Sequence, residues 1–451
     1  MADPGRGWAR WARSLGMVRD LPPATVVLAS LTAVCLLLVV LLLAAPTPAL
    51  PTRAGAVGSS GEITGGIDIR VRVVRRAVGL TLESDSDTVE VRDGASGETW
   101  VLRGPVEVSA RDGRLGLIGA EGVEVSGAGP FTIADGRYRL GGIAVVGGLD
   151  VRLAIGEAAL VDVIAELPLE RYLPGVLAGE LLSGWPLEAF RAQAVAARSF
   201  ALHERQFSRA RGRAWDVERT TVSQAYIGET SLGVAIEGAQ STRSEVLRWE
   251  GGVLRAYYCS TVGGRAASAA DTFRTDAGYG FNLAPPLQAT PREYFSQDSP
   301  TDRWERERRI SGLSARFRAW GASRAHEAAE LGRLTRIEAV GFNAVGRPTA
   351  YEVEDWSGRA VRMSAEDVRL ACNAVVDGLA SVGFSRRVLS GDATFDFGRE
   401  RVTIRGRGFG HGVGLCQYSS AALAERGEGY RDILARYYPG AELVRVEDVL
   451  D

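Results

Sequence analysis

The chain has 451 residues, 46% apolar and 24% charged, with a formal net charge of -2. That composition is ordinary for globular protein, and the near-neutral balance supplies no field that would favour nucleic acid. All 53 basic residues are arginine, an absence of lysine better explained by coding bias than by function.

The first 20 residues form a short tail carrying Arg6, Arg10, Arg13 and Arg19. Residues 21–45 follow, with an uncharged run from Ala24 to Ala45. As a helix those residues would span about 33 Å, enough for a bilayer core. With no further charge before Arg53, the arginines place the tail in the cytoplasm and the bulk of the chain outside. A cleaved signal peptide is the alternative, because small residues follow the run; in either case the remainder is exported. Residues 46–66, rich in Pro, Gly and Ser, read as a linker.

From residue 67 to about 150 the chain alternates apolar and polar residues between Gly, Asp and Ser breaks, as in "DTVEVRD" and "EGVEVSG". This predicts a mainly β region with no repeat period. Beyond it, Leu169, Leu173, Val176 and Glu180 share one helical face, and Pro186 suits the first turn of a second helix ending near Gln206. Its alanines leave room for close packing. "RIEAVGFNAVGRPTAYEVEDWSGRAVRMS" reads as strands joined at a Gly-Arg-Pro turn, and Ser364 with Asp367 as a capping box. Helices over about 418–426 and 429–437 complete an α+β chain.

Glu180 is the sharpest chemical candidate. On the apolar face of its helix a carboxyl loses hydration, its pKa rises, and it suits general-acid work; the plain alternative is an idle glutamate at a frayed helix end. Arg191 and Arg198 share a face of the second helix, as solvated arginines or as guides for a hydroxylated or anionic substrate. Gln224 and Tyr226 alternate as on a strand and suit sugar contacts, though an ordinary half-buried strand is the plainer reading; Asp271 is a cap or a second carboxylate. His411 stands in "GRGFGHGVGLCQYSS", where alternating glycines delete side chains so that something can come close. This stretch matches neither a dinucleotide-binding nor a P-loop pattern. With neither C-x-x-C nor H-E-x-x-H, metal at Cys259, His411 and Cys416 is a weak alternative to no cofactor. Outside the apolar span only Cys259, Cys372 and Cys416 remain, so this is no disulfide scaffold.

Two separated stretches together resemble a known family. "LPLERYLPGVLAGELLSGWPLEAFRAQAVAARSFAL" (167–202) is similar to the opening motif of the SpoIID/LytB family, the stage II sporulation protein D and amidase-enhancer proteins. "GRGFGHGVGLCQYSSAALAERGEGYRDILARYYPGAEL" (406–443) resembles its closing motif, and "SQAYIGE" and "STVGGRAASAADTF" fall between them in the expected order. The resemblance covers about 151–451. It implies a membrane-anchored lytic transglycosylase that cleaves the glycan strands of peptidoglycan, with Glu180 as its acid. It further implies that Arg198, Gln224, Tyr226, Asp271, His411, Gln417 and Tyr418 contact substrate, and that other cell-wall hydrolases are potential partners. Cys416, where serine is usual, and "YSS" at 418–420 depart from the motif. Cys259 is a further departure, and the two cysteines are expected close together, as a disulfide or with His411 around a metal. The alternatives are a non-catalytic wall-binding enhancer of an amidase and a wall-remodelling scaffold that uses the β region.

Overall fold

The computed structural model describes residues 66–450. The expected tail, apolar span and nearly all of the linker lie outside them. Among the described residues no helix is long and apolar enough to cross a membrane. The architecture is α+β, as composition and periodicity predict.

The β-rich segment runs through ten consecutive strands from β1 (Asp68–Ala77) to β10 (Val161–Pro168). The expected boundary at 150/151 falls inside β9 (Ile143–Leu153), which pairs antiparallel with β10. β10 lies between β9 and β1, with Asp68 opposite Pro168. That central place explains its apolar run, because Val161, Val163, Ile164 and Ala165 are all buried. One apolar core extends from Ile69 in β1 to Val446 near the C-terminus, so the sheet and the helices after it are stabilised as one unit.

β10 leads directly into α1 (Leu169–Glu180), whose Leu169, Leu173 and Val176 are buried on the expected face. Pro186 precedes α2 (Leu187–Arg209) as its N-cap, and the helix extends three residues beyond the expected Gln206. The buried Ala192, Ala194, Ala196, Ala197 and Ala201 allow α2 to be surrounded. It packs against α1, α3 (Gly233–Ser241) and strand β12 (Glu245–Trp249).

Two short segments far apart in sequence then meet. β14 (Tyr258–Cys259) and β21 (Leu415–Cys416) pair in parallel, Tyr258 beside Leu415 and Cys259 beside Cys416. Between them the chain makes a second apolar core, from Trp304 to Ile404. It contains the predicted hairpin Leu334–Phe342 and Pro348–Asp355, and a helix at Ala365–Cys372. The Ser364 hydroxyl accepts the Asp367 N–H at 3.0 Å, as the capping box requires. After β21 the chain enters α7 (Gln417–Glu425) and α8 (Tyr430–Tyr437), each within one residue of the expected bounds.

Candidate active site

Glu180 closes α1, and three chain segments converge on its half-buried carboxyl. Glycines four apart make the first approach possible. A Cβ at Gly175 would strike the Gly228 carbonyl and the Tyr226 ring, and one at Gly179 the Ala225 carbonyl. Segment 224–228 therefore lies against α1, and the Ala225 N–H donates to Glu180 Oε1 at 2.7 Å. The second segment is β14, from which the Tyr258 hydroxyl reaches the same oxygen at 3.5 Å. The third is the start of α7, where Gln417 Nε2 donates to Oε2 at 3.1 Å. Burial pushes the Glu180 carboxyl above the ordinary carboxylate range, against the opposing pull of these three donors. Such a group retains a proton nearer neutrality and has donors ready for the anion left once the proton goes.

Not every expected contact residue lines this site. Arg198 is fully buried. Its Nε and Nη2 grip Glu170 of α1 at 2.8 and 2.9 Å, and it donates to the carbonyls of Ala239 and Glu245. Expected to touch substrate, it instead binds α1, α2, α3 and β12 together. Gln224 is also buried, accepting from Tyr172 and donating to the Ala197 carbonyl and Tyr258. Tyr226 is buried with its ring centroid 4.9 Å from that of Tyr172. The segment joins no sheet: the strand expectation gives way to packing on the glycine face of α1.

The glycine stretch is also corrected. Gly408, Gly410, Gly412 and Gly414 all have left-handed φ values between 74° and 103°. A Cβ at Gly412 would enter the Arg347 guanidinium, and one at Gly414 the Tyr257 carbonyl. What comes close to the glycines is the protein's own chain. His411 among them is half-buried, edge-on to Tyr257 and Phe273, with Nδ1 accepting the Val413 N–H at 3.0 Å. Burial lowers its pKa to about 4, so at neutral pH it is uncharged. Asp271 is exposed, beside a small cavity that His411 and Glu366 also line.

Tyr418 is half-buried and meets Trp185 edge-on, 4.9 Å between ring centroids. Trp185 lies in the loop after Glu180, where no periodic pattern marks it as a site residue. Tyr258 was also missed; its only signal was the pair Tyr257-Tyr258, since alternation on a strand aims neighbours oppositely. Tyr258 lines a cavity of about 320 Å³ with Phe200, Arg255, Phe273, Tyr279 and His411. It is thus shared by the cavity and the Glu180 carboxyl.

Cys259 and Cys416 are brought side by side as expected, but as free thiols; no disulfide joins them. Burial raises the pKa of both, which keeps them protonated and unreactive. Among the described residues no group of three His, Cys, Asp or Glu side chains could hold a metal.

Residues 158–249 match the family model described as stage II sporulation protein, SpoIID. Along a longer span the chain is 28% identical to an uncharacterized protein of Brachyspira hyodysenteriae, covering 74% of this chain and 81% of that one. It is 26% identical to stage II sporulation protein D of Bacillus subtilis, covering 64% and 78%. The amidase enhancer of Bacillus subtilis is 24% identical, covering 60% of this chain but 40% of that protein. The family match contains Glu180 and Gln224, while Tyr258 and Gln417 lie beyond it. Residues 158–249, which include the opening motif at 167–202, are thus similar to the SpoIID family.

Proposed function

We propose that the protein is an exported peptidoglycan lytic transglycosylase in which Glu180 serves as both acid and base. The observation that carries this reading is the Glu180 carboxyl, raised in pKa by burial and met by donors from three segments. The acid gives its proton to the glycosidic oxygen between N-acetylmuramic acid and N-acetylglucosamine, and that C–O bond breaks. The resulting carboxylate takes the proton from the muramyl 6-hydroxyl, whose oxygen closes a 1,6-anhydro ring. No water attacks, so the paired carboxylates of hydrolytic glycosidases are not needed. Glycan strands are the partner, and the apolar span of residues 21–45 would hold the protein at the membrane.

The test is digestion of purified glycan strands, with and without stem peptides, by the protein and its Glu180→Gln variant. Anhydro-muramyl ends from the wild type alone would support the reading; reducing ends, or activity surviving in the variant, would overturn it. A second reading, a non-catalytic wall-binding enhancer of an amidase, draws on one specific observation. Both oxygens of Glu180 already have partners within the chain, as in a structural carboxylate. Strand binding without cleavage would favour it.

A further inference from the structure

The hydrogen bonds behind Glu180 have a fixed direction. Gln224 Nε2 lies 3.1 Å from the Ala197 carbonyl oxygen, which only accepts, so the amide nitrogen must face it. The same nitrogen is 3.0 Å from Tyr258 Oη, and Gln224 Oε1 accepts from Tyr172 Oη at 3.0 Å. The opposite amide orientation would set two acceptors against each other at Ala197. Tyr258 therefore accepts from Gln224 and must direct its own hydrogen elsewhere. Its other partner is Glu180 Oε1, at 3.5 Å. Tyr172 and Gln224 are fully buried, so solvent does not compete for these bonds.

Resting on Glu180 as the acid, we propose that Tyr172, Gln224 and Tyr258 form a directed hydrogen-bond chain that commits the Tyr258 hydroxyl as a donor to Glu180. Tyr258 is then a positioning residue. The bond is long while Glu180 holds its proton and draws in once the proton has passed to the glycosidic oxygen, when the carboxylate is a stronger acceptor. Stabilisation that grows as the anion forms speeds the step, whereas equal stabilisation throughout would not. The ionisable groups that face Glu180 through this chain are Tyr258 and Tyr172. Burial holds both phenols well above their ordinary range, so each remains a neutral donor.

The test uses the full chain and the variants Tyr258→Phe, Gln224→Leu and Tyr172→Phe. The Glu180 carboxyl is titrated by the infrared difference between each protein and its Glu180→Gln counterpart, alongside the pH profile of kcat. Tyr258→Phe should raise the carboxyl pKa further and lower kcat about tenfold with KM little changed. Gln224→Leu should act in the same direction by less, and Tyr172→Phe least. An unmoved carboxyl titration in folded Tyr258→Phe, or an equal effect from Tyr172→Phe, would overturn the chain. Both tyrosine variants keep the ring and lose one oxygen, so they report even where Gln224→Leu does not fold. The titration needs no turnover: a shift in Tyr258→Phe with no cleavage in any protein would retain the chain and reject the transglycosylase.

Discussion

Gln417 Nε2 and Glu180 Oε2 lie 3.1 Å apart although 237 residues separate them in sequence. The parallel pairing of β14 with β21 makes this contact possible, because it delivers Tyr258 and Gln417 together to the end of α1. The amide donates to a carboxyl that burial disfavours as an anion. Gln417→Leu should therefore raise the Glu180 pKa and move the alkaline fall of activity to higher pH. The acid must be protonated to begin the reaction, so its activity is lost as pH rises through that pKa. A pH profile of glycan cleavage decides; a shift toward lower pH would contradict the assignment.

Glu180→Gln keeps the side chain's shape and removes its proton. Cleavage should fall about 1,000-fold or more with circular dichroism unchanged. His411→Ala should cost turnover less, since His411 is a neutral, packed residue. Equal and complete loss in both folded variants would reject that ranking.

Arg198 and Arg191 sit on the same helix but in different environments. Arg198→Met leaves Glu170 and two carbonyls without their donor, and should destabilise by about 3 kcal/mol. Arg191 pairs with Glu188 three residues away at a half-exposed position, so Arg191→Met should cost under about 1 kcal/mol. Urea unfolding of the two variants tests the contrast.

His411 also predicts a pH effect on stability. Its folded pKa of about 4 lies below the unfolded value, so the unfolded chain binds the extra proton first. The contribution is complete above about pH 6.5 and is lost as pH falls toward 4, up to about 3 kcal/mol. His411→Gln should flatten that part of the stability curve; an unchanged slope between pH 7 and 4.5 would refute it.

Gly414→Ala meets two penalties, a left-handed φ of 74° and the Tyr257 carbonyl in the Cβ position. Gly251 has a similar φ of 81° with open space around it. Gly251→Ala should cost about 1–2 kcal/mol and Gly414→Ala clearly more, about 4 kcal/mol. Thermal melts that rank them the other way would show that the close approach is not rigid.

Local patterns determined much of this protein from sequence alone. The buried face of α1, the Pro186 start of α2, the Ser364 cap and the two closing helices follow from spacing and propensity, which act over a few residues. Glu180 was legible for the same reason, as the next step along an apolar helical face. The partners of Glu180 were not, because nothing local connects residues 180, 225, 258 and 417. Gln224 and Tyr226 carry the letters of a sugar-binding strand, yet two glycines on α1 draw their segment inward and bury both side chains. Arg198 reads as a surface charge until Glu170 and two carbonyls surround it. The glycine stretch announces a close approach without saying of what. Only the tertiary structure decided that the chain itself fills the space, because a missing Cβ records how near a neighbour comes and carries no mark of which neighbour it is.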